Sequence, residues 1–135
     1  MEKKTQSYLD LEIYQLAKKF AVEIHRMTLN ELPKFEMFEE GSQIRRSSKS
    51  IGANIVEGFG RKRYKGEYIR FLTYALASCD ETKYHLEMLW ETGSLGQERS
   101  QYFLEGYDNL GRKIYKFRQS IILSRSNTPA SDSRN

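Results

Sequence analysis

Apolar residues recur at three- and four-residue spacing in four long segments, and no stretch alternates with the two-residue period of a strand. The pattern predicts an all-α chain. A first helix opens at Asp10, an acceptable cap, and runs to about Asn30 with Ile13, Leu16, Phe20, Ile24 and Met27 inward. A second starts at Leu32-Pro33, where a first-turn proline sacrifices no hydrogen bond, and carries Met37, Ile44, Ser48, Ile51 and Ile55 on its inner stripe. A third begins between Tyr64 and Glu67 and extends to about Thr92. Its inner positions Tyr68, Leu72, Ala75, Cys79, Thr82, Leu86 and Leu89 alternate steps of four and three. Gly93 suits the residue after a helix end, and Ser94 to Gln97 has capping-box form. The fourth helix has the most regular stripe: Phe103, Tyr107, Leu110, Ile114, Phe117 and Ile121. Short connections between helices of this length make neighbours antiparallel, so the expected architecture is an up-down-up-down four-helix bundle over residues 1–123. The remaining segment, 124–135, has no apolar anchor and is expected to be disordered.

The second helix departs from an ordinary amphipathic pattern. Between Gln43 and Arg61 it is rich in Ser, Ala and Gly, and Gly41, Gly52 and Gly58 each cost about 1 kcal/mol relative to alanine inside a helix. Close approach by neighbouring helices is the expected compensation. Its outer side presents Arg46, Lys49, Ser50, Ala53, Glu57 and Gly60, with Asn54 and Arg61 on the flank. Small residues on a solvent face leave room for another helix, so Arg46, Lys49, Ser50, Ala53, Asn54, Glu57 and Gly60 form a candidate interface between subunits of a homo-oligomer.

Charge adds a polarity to the rod. Threaded antiparallel, one end collects Arg61, Lys62, Arg63, Lys65 and Arg70 with Lys116, Arg118 and Arg125, joined by Lys3 and Lys4. The other collects Glu31, Glu36, Glu39, Glu40, Glu87, Glu91 and Glu98. Helix dipoles explain acids at helix starts and bases at helix ends, but they disfavour Lys65 and Arg70 near the start of the third helix. Arg61, Lys62, Arg63, Lys65, Arg70, Lys116 and Arg118 are therefore candidates for contact with a phosphate backbone, with RNA or DNA as the partner. Phe59, Tyr64 and Tyr68 lie beside them, the first and last better placed for packing than for stacking bases.

The 135 residues suffice for one domain, and the net charge of +4 is compatible with a polyanion without requiring one. No apolar run approaches the length of a membrane span, no signal-peptide pattern opens the chain, and a lone cysteine forms no internal disulfide. These features lead to the expectation of a cytoplasmic protein without a membrane association. His25 and His85 lack ligand spacing. Glu81 and His85 stand four apart, but a di-metal bundle wants two Glu-x-x-His pairs, and neither occurs. Cys79 reads as a small core residue, and Gly58-Phe59-Gly60 lacks the strand-turn-helix setting of a phosphate loop. No catalytic residue, metal or cofactor is expected.

The chain resembles the four-helix bundle proteins encoded in intervening sequences of bacterial 23S ribosomal RNA genes, a ribosomal-protein-like family. The resemblance runs from Leu9 to Leu123 and is carried by Gln43-Ile44-Arg45-Arg46-Ser47, Ser50-Ile51, Asn54-Ile55, Glu57-Gly58 and Gly60-Arg61. It continues through Tyr68, Arg70-Phe71-Leu72, Ala75, Ser78 and Glu81, with Tyr8 to Leu11 and Leu32-Pro33 as flanking matches. Ser47 stands where the family often has alanine, and Glu40-Gly41 replaces a more apolar pair. The resemblance implies a ring-like homo-oligomer, commonly a pentamer. It also implies kinship with the accessory bundle of diversity-generating retroelements, which binds nucleic acid through a basic surface. It implies no assigned biochemical activity. The resulting expectation is a non-catalytic, homo-oligomeric bundle that binds RNA or DNA through its basic end. The alternative is a scaffold that docks a partner protein such as a polymerase.

Overall fold

A computed structural model describes residues 7–125, so Lys3, Lys4 and all of the expected tail but Ser124 and Arg125 lie outside the described residues. Among those residues there are four long helices and no strand: α1 (Glu12–Asn30), α2 (Glu40–Gly60), α3 (Lys65–Glu91) and α4 (Gln97–Leu123). They form the antiparallel four-helix bundle that the spacing predicts. Consecutive helices share the larger interfaces, α2 with α3 above all, and the closing pair α1 and α4 shares the smallest. At 1.5 Å per residue, the longest helices make a rod on the order of 40 Å.

The inner stripe of α3 is buried at all seven expected positions, with His85 added. In α4, Phe103, Tyr107, Leu110 and Ile114 are fully buried, while Phe117 and Ile121 are only partly covered as the bundle thins toward its end. In α1 the stripe shifts: Ala17 and Ala21 are buried and Leu16 is only partly so. Two hydroxyl pairs join the apolar contacts of the α2–α3 interface. Ser47 Oγ and Thr82 Oγ1 hydrogen-bond at 2.9 Å in the core, and Ser50 Oγ meets Ser78 Oγ at 2.9 Å. Each hydroxyl thereby keeps a partner in an interior that penalises unpaired polar atoms.

The start of α2 differs from the sequence-based expectation. Pro33 opens no long helix; it precedes a separate 3-10 segment, Lys34–Phe38, and the chain breaks at Glu39 before α2 begins. The cause is Glu36, which is buried at 4% exposure where Met37 was expected inside. Its carboxylate accepts the Glu40 amide at 3.2 Å and the Ser94 hydroxyl at 2.5 Å, so one side chain caps α2 and ties it to the α3–α4 turn. Ser94 is thereby spent on Glu36 rather than on a capping box, and the cap of α4 is Gly96 with no side-chain bond. Gly41 lies on that junction: a Cβ there would stand well short of van der Waals contact distance from the Glu36 carbonyl oxygen. The close approach expected at the α2 glycines thus holds for Gly41 and for Gly58 against Tyr68 and Phe71, whereas Gly52 makes only ordinary contact with α1. Gly93 adopts the left-handed conformation (φ 82°) expected after α3. Asp10 belongs to a 3-10 turn, Tyr8–Asp10, capped by Ser7, and the residue preceding α1 is Leu11.

Candidate nucleic-acid interface

The turn between α2 and α3 builds the basic pole. Arg61 ends α2, and the Tyr64 amide donates to the Arg61 carbonyl at 2.9 Å, leaving Lys62 and Arg63 as the two central residues of a tight turn. Both are exposed. Lys65 donates to the carbonyl of Ser124 at 2.7 Å, and Arg118 donates to Thr73 Oγ1 at 2.9 Å. The end of α4 is therefore fastened against the start of α3, and Arg61, Lys62, Arg63, Lys65, Arg70, Lys116 and Arg118 do converge on one end of the rod.

They are not equivalent. Arg61 pairs with Glu57 and, at 3.5 Å, with Glu67. Glu67 also receives Arg70 at 2.5 Å, and that hydrogen bond raises the pKa of the Arg70 guanidinium further above its ordinary value. Arg61 and Arg70 are thus knitted into the α2–α3 corner by shared acids. Lys62, Arg63 and Lys116 are exposed and take part in no ion pair among the described residues. The Lys62 ammonium lies 4.4 Å over the Phe59 ring and the Arg63 guanidinium 5.2 Å over that of Tyr64. Tyr64 is itself exposed, so cation and aromatic face solvent together. Tyr68, by contrast, is a core residue whose burial pushes its phenol up to about 12, and Phe59 packs partly against the core.

The outer face of α2 divides as well. Arg46, Lys49, Ala53, Glu57 and Gly60 are exposed, as expected. Ser50 and Asn54 are half-buried: Ser50 faces Ser78 of α3, and Asn54 Nδ2 donates to the Ser50 carbonyl at 2.9 Å. The expected outward position of Ser50 is corrected by that hydroxyl pair. Lys49 and Ala53 instead border an apolar groove of about 550 Å³ between α1 and α2, lined also by Ala17, Ala21, Val22 and Gly52. Its rim is cationic. His25 there is held below its usual pKa, first by partial desolvation and then by Lys49, Arg45 and Arg26. The sequence marked only the α2 wall of the groove, through Lys49 and Ala53; its α1 floor comes from Ala17 and Ala21, which are not members of the expected stripe of α1.

His85, which lacks ligand spacing, joins two helices: Nδ1 lies 2.7 Å from Glu40 Oε1 and Nε2 3.4 Å from Glu81 Oε2. No group of three or more metal-ligating side chains is arranged to hold an ion among the described residues. Cys79 is buried, and desolvation raises its thiol to about 11, far from a reactive thiolate. No helix is long and apolar enough to cross a membrane among the described residues.

These features define an antiparallel all-α bundle with a cationic pole and an open apolar groove. The chain belongs to the 23S rRNA-intervening sequence protein family, whose model matches residues 9–116. It is similar to a protein of unknown function from the S23 ribosomal protein family of Bacteroides thetaiotaomicron, solved as a crystal structure. The TM-score is 0.71 and the identity 26%, over 79% of this chain and 95% of that one. No match is found among curated proteins.

Proposed function

We propose that this protein is a non-catalytic cytoplasmic bundle that assembles with copies of itself and binds structured RNA or DNA through its basic pole. The observation that carries the binding half is the trio Lys62, Arg63 and Lys116, exposed at one pole with no carboxylate paired to them among the described residues. Cations left unpaired beside an exposed tyrosine can release counterions from a phosphate backbone and offer a ring for stacking. The family's association with 23S ribosomal RNA genes makes ribosomal RNA fragments the first ligand to try.

The assembly half rests on the groove between α1 and α2. Its floor of alanine, valine and glycine admits close approach of another helix, and its occupant is a second copy of this chain. Light scattering is expected to return a multiple of the 15.9 kDa chain mass; a monomer across the micromolar range overturns this half. Filter binding to 23S rRNA fragments across a salt series tests the other half. Binding should be retained at about 50 mM salt and fall linearly in log–log form as salt rises; no binding at that ionic strength overturns it.

A further inference from the structure

The pole opposite the basic one carries an aromatic ridge that core packing does not explain. A 3-10 winding has about three residues per turn, which sets Phe35 and Phe38 of Lys34–Phe38 one turn apart on the same side while Glu36 is buried. Phe38 is 88% exposed and Phe35 63%. Single exposed apolar residues are common, but two aromatics in register on one edge, with Leu29 also exposed at that end, form a patch.

The backbone beneath the ridge is tied down by hydrogen bonds. Glu36 is bonded to Ser94 and to the Glu40 amide, and Arg45 reaches across to donate to the Met37 carbonyl at 2.7 Å and to Thr28 Oγ1 at 2.9 Å. A backbone already fixed in this way loses less entropy when something covers the edge. The surrounding charge tells what that something carries. Glu39 follows Phe38 directly, Glu87 and Glu91 share one face of the last turns of α3, and Glu98 opens α4. None of the four is in an ion pair among the described residues, whereas Arg99 at the same pole is engaged by Glu31 at 2.9 Å. Lys34 offsets one of these charges.

We propose that this ridge docks a cationic segment of another protein, one whose lysines or arginines flank at least one bulky apolar side chain. The apolar residue covers Phe35 and Phe38, and the flanking cations meet Glu39, Glu87 and Glu91. The surface lies at the far end of the rod from Lys62 and Arg63, so it is independent of the polyanion reading and stands if that reading fails.

Trp90, the single tryptophan of the chain, lies at the end of α3 at the same pole and reports occupancy through its fluorescence. Three short synthetic peptides serve as probes: lysines and leucines at helical spacing, lysines alone at equal charge, and the leucine pattern with glutamates for lysines. The Lys/Leu peptide is expected to bind, the all-lysine peptide about tenfold or more weakly, and the glutamate peptide not at all. Phe35→Ser/Phe38→Ser should weaken the Lys/Leu peptide by about tenfold or more while leaving the all-lysine peptide, the far-ultraviolet spectrum and RNA-fragment binding unchanged. Three results overturn the proposal: no binding of the Lys/Leu peptide to the wild-type protein, equal binding by the double variant, or equal binding of the all-lysine peptide. Loss of self-association in Phe35→Ser/Phe38→Ser, seen by sedimentation, also overturns it and assigns the ridge to a contact between copies.

Discussion

Gly106→Ala is expected to destabilise the wild-type protein and to stabilise a Phe20→Ala variant. A Cβ on Gly106 would lie 2.5 Å from Phe20 Cζ and 2.7 Å from Cε1, so the ring occupies the space that any other residue would claim. This is the point where α1 closes onto α4, the smallest helix interface of the bundle. Phe20 also packs against Tyr107 and Tyr102, at centroid distances of 5.4 and 6.2 Å, so it has little freedom to retreat. Overpacking of this kind costs about 1–3 kcal/mol. Phe20→Ala alone should cost about 3–5 kcal/mol through lost burial and the cavity left behind. Once the ring is gone, the clash is gone too, and alanine improves on glycine in a helix by about 1 kcal/mol. The sign of the Gly106 substitution therefore reverses between backgrounds, a coupling of about 2 kcal/mol or more. Urea unfolding of the wild-type protein and the three variants at one protein concentration measures it. The same sign in both backgrounds refutes the glycine-slot account.

What could be read from the residues depended on which physical signal dominated. The core stripe of α3 was fully legible because seven positions in steps of four and three admit only one buried face. The antiparallel threading followed from short connections, and with it the gathering of cations at one pole. Glu36 was not legible: a carboxylate between two apolar residues reads as solvent-facing, and only Ser94, 58 positions along, reveals why it is buried. The aromatic ridge was hidden by the same error. Extending one α-helix from Pro33 to Arg61 sets Phe35 and Phe38 apart around a 3.6-residue turn, whereas a three-residue turn puts them on the same side. Ser47 and Ser50 gave an ambiguous signal because a small hydroxyl is equally acceptable on a surface and across from Thr82 or Ser78. At the basic pole, Glu57 to Arg61 and Glu67 to Arg70 have helical ion-pair spacing, so the division between committed and unpaired cations was present in the sequence. The tertiary ties of Lys65 to Ser124 and Arg118 to Thr73 were not.

That division sets the strongest test of the polyanion reading. Lys62→Glu/Arg63→Glu/Lys116→Glu should abolish binding to 23S rRNA fragments while leaving the fold intact, because none of the three has a carboxylate partner to lose among the described residues. Each phosphate contact contributes a slope of about −0.9 to −0.7 in a plot of log affinity against log salt. Neutralising the trio with glutamine should therefore flatten the slope by about 2–3 and leave residual binding, whereas reversal to glutamate adds repulsion and removes it. Arg61→Gln is a separate case. It leaves Glu57 without a partner and Glu67 with Arg70 alone at the α2–α3 corner, so its first effect should be on melting temperature, with little change in slope. Exposed ion pairs are worth only about 0–1 kcal/mol, and the shift should be correspondingly small. If Arg61→Gln flattened the salt dependence as much as the glutamine trio did, the cations tied by acids would be the ones that meet phosphate, and the assignment of Lys62, Arg63 and Lys116 would fall.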